Sequence, residues 1–122
     1  MDNRALSLRI VGIARDKKAQ RPVILDMRAV CGFCDYFVIM NGTSNTHVRA
    51  IAEAVREELR KEKIKPLSDI PSQDESGWIV LDYSGVVAHV FNKPVREFYA
   101  LERLWADAKR VRASAARRAA AA

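Results

Sequence analysis

The sequence predicts an α/β domain of mixed α+β type: a single mixed β-sheet of four to five strands flanked by three helices. Three observations carry that prediction. Apolar residues recur at helical spacing in three stretches, β-rich runs lie between them, and the last two runs flank a Ser84-Gly85 pair that reads as a hairpin turn. The order is helix, two strands, helix, short strand, hairpin, helix, which suits helices packed on one sheet. At 122 residues the chain holds one domain, large enough to fold without a metal or a disulfide.

The first helix is expected over residues 4–19, where Leu6, Ile10, Ile13 and Ala14 form a stripe with Arg4, Arg9 and Arg15 outside it. Its arginines resemble a transit peptide, but Asp2, Asp16 and the direct run into a strand argue against one. Val23–Met27 reads as a strand opened by Pro22, and Asp35–Met40 as a nearly all-apolar strand from the middle of a covered sheet. The link of residues 28–34 is too short for a parallel crossover, so neighbouring strands here would be antiparallel. Asn41-Gly42-Thr43-Ser44 is a turn ending in a helix N-cap. The second helix then runs to about Lys63, with Val48, Ile51, Ala52, Val55 and Leu59 facing inward.

Ile64–Leu67 is expected as a short edge strand blunted by Pro66, and residues 68–77 as a loop. In the hairpin, a two-residue turn pairs Trp78 with Phe91, Val80 with His89 and Asp82 with Val87, Gly85 supplying the positive φ. One face then carries Ile79, Leu81, Tyr83, Val86, Ala88 and Val90, nearly all apolar and so the core face. The other mixes Trp78, Val80, Asp82, Val87, His89 and Phe91, which suits binding of another molecule. Pro94 opens the third helix, whose expected stripe is Phe98, Leu101, Trp105 and Ala108. The Ala/Arg-rich tail from Lys109 either extends this helix or frays.

The net charge is +6, unevenly placed. Residues 1–105 carry 16 basic and 14 acidic side chains, whereas residues 106–122 carry five basic and one acidic. The folded part is therefore nearly neutral and the tail basic. No apolar run approaches a membrane span. Cys31 and Cys34 form a Cys-x-x-Cys without a second ligand pair for zinc, and it precedes a strand rather than opening a helix, so two buried free thiols in a reducing compartment are expected. Neither a metal nor a cofactor is expected.

Candidate chemistry is sparse. Asp26, Asp35 and Asp82 stand near strand ends, as metal-binding carboxylates do in nucleotidyl transfer, but there is no Asp-x-Asp. The Gly42-Thr43-Ser44 turn could cradle phosphate at a helix N-terminus, yet it lacks the lysine and glycines of a Walker loop. A nucleotide-binding or nucleotidyltransferase-like enzyme using that turn and Asp82 is the alternative function. A homodimer joined through the aromatic face is a third reading. Trp78, Phe91, Phe98, Tyr99 and Trp105 concentrate aromatics in the last hairpin and helix, with acids among them, as protein–protein anchors do.

Those residues bring a family into view. Asp35-Tyr36-Phe37-Val38-Ile39, Gly42-Thr43-Ser44 followed by His47-Val48-Arg49-Ala50-Ile51-Ala52, Trp78-Ile79-Val80-Leu81-Asp82-Tyr83, His89-Val90-Phe91 and Arg96-Glu97-Phe98-Tyr99 through Trp105 together resemble the ribosomal silencing factors, the Iojap-like proteins, over roughly residues 5–108. The resemblance implies a nucleotidyltransferase-like fold without the catalytic acids and a translational repressor that is not an enzyme. It implies a cytoplasmic protein that binds the universal fourteenth protein of the large ribosomal subunit and blocks joining of the small one. The expected contact set is Trp78, Val80, Asp82, His89, Phe91, Glu97, Tyr99, Leu101, Glu102 and Trp105, on a domain of residues 1–108. The basic tail, residues 109–122, is expected to touch ribosomal RNA. Val86 departs from the family, which often has an acid after the hairpin glycine; Cys31 and Cys34 replace small or polar residues.

Overall fold

In the computed structural model, which describes residues 1–70 and 76–112, the centre of the sheet is the strand whose seven residues are all buried, β2 (Tyr36–Gly42). Its apolar run leaves no face for water, and the sheet is covered on both sides, as such a run requires. β1 (Gln20–Asp26) pairs with it antiparallel, as the short link demands. β4 (Val86–Asn92) pairs with its other edge in parallel, and β3 (Trp78–Asp82) closes that side as the antiparallel arm of the hairpin. A fifth strand, β5 (Lys109–Val111), pairs antiparallel with β1, so the order is β3-β4-β2-β1-β5.

Two long helices cover one face. α1 (Asn3–Asp16) starts where the Asp2 carboxylate accepts the Ala5 N–H at 2.7 Å, and α2 (Asn45–Lys61) starts where the Ser44 hydroxyl accepts that of His47. Their predicted stripes are all buried against Ile79, Leu81, Tyr83, Val86, Ala88 and Val90, the predicted core face of the hairpin. A second cluster fills the opposite face: Leu25, Met27, Phe37, Ile39, Val87 and Phe91 under the C-terminal segment.

The structure departs from the sequence expectations at five places. Residues 64–67 form no strand; Leu67 N–H donates once to the Asp82 carbonyl at 2.8 Å, because Lys63 turns left-handed and Pro66 lacks a donor. β1 starts at Gln20, and Pro22 sits in a register shift between Gln20 and Val23 rather than opening the strand. The positive φ of the hairpin belongs to Ser84, at 71°, not to Gly85. Gly85 is needed instead for close approach, since a Cβ there would lie 2.1 Å from Asn3 Nδ2. The third helix breaks at Ala100, whose φ of 46° separates α3 (Lys93–Tyr99) from α4 (Leu101–Leu104). Finally, residues 109–111 belong to the sheet, beyond the boundary expected at 108. The expected loop is described only outside residues 71–75, and the tail only to Arg112.

Candidate functional site

The break at Ala100 decides what the C-terminal segment shows to solvent. A continuous helix would have put Phe98, Leu101 and Trp105 on one buried stripe. With the break, Leu101 and Trp105 turn into the second core, while Phe98 is 80% and Tyr99 51% exposed. Asn92 caps α3 by accepting the Val95 N–H at 3.1 Å, next to Pro94 in its first turn.

Trp78 is the hub of the aromatic cluster. Its ring centroid lies 4.9 Å from both Tyr99 and Phe91, and its Nε1–H donates to His89 Nδ1 at 3.1 Å. His89 stacks in turn edge-on against Phe37 at 4.8 Å, and Phe37 meets Trp105 at 90°. Burial holds the His89 pKa down at about 4, against a weaker pull from Asp82, so the ring is neutral and its proton sits on Nε2. That Nε2 is buried with no hydrogen-bond partner among the described residues.

The expected contact set therefore divides. Val80, at 42% exposure, Tyr99 and Glu97 are open to solvent, and Trp78 is half-buried beside them. Phe91 and His89 are buried in the monomer, at 1% and 7% exposure, and cannot themselves touch a partner; they prop Trp78 from below. Leu101 and Trp105 are half-buried in the second core. Asp82 accepts the Ser84 N–H at 2.8 Å and shapes the hairpin turn. Exposed Phe98 and Leu104, the latter at 70%, join the surface without having been expected there. Only the αL break at Ala100 would have revealed them, and alanine carries no sequence signal for it.

Glu102 is not a free acid either. It pairs at 3.1 Å with Arg96 Nε, and Arg96 is only 3% exposed. Arg96 Nη1 also donates to the Arg21 carbonyl at 2.7 Å and to Asn41 Oδ1 at 2.9 Å. Asn41 donates onward to Gln20 Oε1 at 3.0 Å. This network ties α3 and α4 to β1 and β2, and burial draws the Arg96 pKa below its usual value despite the facing carboxylate.

The residues that suggested phosphate or metal chemistry have other partners. His47 Nδ1 accepts the Thr43 N–H at 2.9 Å, and its Nε2 lies 2.7 Å from the Lys17 carbonyl. The turn's backbone donor is thus engaged within the protein. Asp26 takes both Arg28 nitrogens, and Asp35 accepts from Asn3 Nδ2 at 3.0 Å. No three side chains of metal-ligand type come together among the described residues. Cys31 and Cys34 are free thiols, but only Cys34 is buried and Cys31 is half-buried, contrary to the expectation for both; Cys34 is pushed up to about 12 by its burial and by its neighbour Cys31, which leaves it a poor nucleophile near neutral pH.

The chain matches the profile of the family described as ribosomal silencing factor during starvation over residues 2–122. It is 34% identical over 111 residues to the ribosomal silencing factor RsfS of Halalkalibacterium halodurans, covering 91% of this chain and 94% of that one. It is 38% identical over 93 residues to the Bacillus subtilis protein of the same name, covering 76% and 78%. A mouse relative, 29% identical, is named mitochondrial assembly of ribosomal large subunit protein 1; the match covers 79% of this chain and 43% of that protein. Among solved structures, a Bacillus halodurans protein superposes with a TM-score of 0.74 at 32% identity, covering 90% and 98%. A Chromobacterium violaceum protein reaches 0.81 at 24% identity, covering 87% and 88%, a likeness of fold. The family profile spans nearly the whole chain, relatives above 30% identity cover most of it, and the fold is shared with solved structures, so the chain belongs to the ribosomal silencing factor family.

Proposed function

We propose that the protein represses translation in the cytoplasm by docking on the large ribosomal subunit and sterically excluding the small one. The observation that carries this is the row of Val80, Trp78, Tyr99 and Phe98, an apolar surface held rigid from beneath by Phe91 and His89. Rigid aromatic anchors with a buried support are what binding hot spots are made of, each worth ~2–4 kcal/mol. Glu97 beside them offers an acid to a basic partner. A ribosomal protein of the joining face fits that chemistry, and the universal fourteenth large-subunit protein is the partner the family resemblance indicates. The mouse relative's name points to the same subunit. The basic segment from Lys109 onward would reach ribosomal RNA.

Sedimentation through sucrose gradients tests the reading. The protein should migrate with isolated large subunits and lower the fraction of joined ribosomes. Val80→Glu with Tyr99→Ala, both at exposed positions, should abolish co-migration while circular dichroism stays unchanged. Co-migration that survives the double substitution would sink the docking surface.

A further inference from the structure

A cleft of about 410 Å³ lies between the start of β1, the α3–α4 break and β5. Arg21, Arg96, Arg103 and Arg110 line it, against Glu97 and Glu102. Arg96 and Glu102 neutralise each other in the buried ion pair. That leaves three arginines facing one acid, an excess of two positive charges around a concave surface.

Five arginines outside the cleft are matched. Arg9 pairs with Glu62, Arg28 with Asp26, Arg49 with Glu53, Arg56 with Asp69 and Arg60 with Glu57. Arg21, Arg103 and Arg110 are exposed, and none has an ion pair among the described residues. They come from three different elements, β1, α4 and β5, so no helical repeat brings them together. The backbone departs from ordinary geometry to build the place: two of the five non-glycine residues with positive φ among the described residues, Arg21 at 49° and Ala100 at 46°, line it. The Arg21 carbonyl is thereby turned toward Arg96, and the break at Ala100 lets Glu102 reach back to it. Arg21 and Arg110 lie near enough to Arg96 to repel its charge, though more weakly than Glu102 attracts it.

We infer that this cleft binds the phosphodiester backbone of a single RNA strand, with Arg21, Arg103 and Arg110 as the phosphate ligands. Guanidinium groups grip phosphate oxygens with two parallel N–H donors. No base-stacking ring lines the cleft, so recognition is of backbone and not of sequence. The choice of RNA rests on the ribosome-docking reading. It also adds a cleft within the sheet and helices to the RNA contact that the charge count placed in the tail.

The experiment is fluorescence anisotropy of the full chain with a labelled single-stranded RNA of about 12 nucleotides, repeated across a salt series. Each phosphate contact on a single strand contributes about 0.7 to the slope of log affinity against log salt. Arg103→Gln with Arg110→Gln should therefore flatten the slope by about 1.4 and weaken binding at low salt at least about tenfold. Arg117→Gln with Arg118→Gln removes the same charge from the tail and should change both by less than half as much. Equal effects of the two pairs, or a cleft pair that binds as the unaltered protein does, would overturn the assignment. The RNA is free of ribosomes, so a failure here leaves subunit co-migration standing, and a failure of co-migration leaves this result standing.

Discussion

Lowering the pH from near 7.5 to near 5 asks the fold to accommodate a proton on His89. The ring is almost fully buried, its Nδ1 accepts from Trp78, and the folded protein holds its pKa at about 4. In the unfolded chain the same group titrates at ~6.5. The folded pKa is the lower of the two, so the unfolded state binds the proton first and the stabilisation is complete above ~6.5. It is lost as the pH falls from there to about 4. Linkage gives a loss of ~2 kcal/mol at pH ~5 and ~3 kcal/mol at pH ~4, a large part of a typical small-domain stability of ~5–15 kcal/mol. Urea unfolding followed by tryptophan fluorescence at several pH values measures it. His89→Gln keeps an acceptor for Trp78 Nε1 and cannot titrate, so its stability should stay flat through the same window apart from background. Asp26, Glu57 and Asp69, whose pKa values are held low by Arg28, Arg60, and the Ile70 N–H with Arg56, lose their contributions at lower pH in both proteins. If the two proteins lose stability in parallel between pH ~7.5 and ~5, the buried neutral imidazole is not the cause and the reasoning fails.

Two further substitutions probe the frame of the site. Gly85→Ala drives a Cβ onto the Asn3 side chain, which is itself held by Asp35, and should cost ~1–3 kcal/mol in denaturant unfolding. Asn3→Ala in the same chain should restore most of that loss, whereas additive costs would place the strain elsewhere. Arg96→Met leaves the Glu102 carboxylate, Asn41 Oδ1 and the Arg21 carbonyl without their donor, and should cost ~3–5 kcal/mol. Adding Glu102→Met should recover part of it; a loss under ~1 kcal/mol for the single change would show that the network contributes little.

Much of this architecture was legible because period and burial agree. The α1 and α2 stripes and the two-residue hairpin register follow from spacing alone, and the structure shows them where spacing put them. The hairpin's mixed face was legible only in part. Alternation shows which side chains share a face but not what covers it, and here α3, α4 and the β1–β2 link cover His89 and Phe91. The break at Ala100 left no mark, since alanine favours helix, and it follows instead from the tertiary demand that Glu102 meet buried Arg96. β5 was missed for a similar reason. A three-residue strand of Lys109-Arg110-Val111 reads as helix or tail by composition, and only the open edge of β1 recruits it.

That recruitment joins Ile24 to Val111 across most of the polypeptide. A growing chain reaches the hairpin long before it can supply this partner, so one margin of the sheet stays unzipped until residues 109–111 emerge. Pro22 and the kink beside it blunt that margin in the meantime, which limits its use as a template for stray strands.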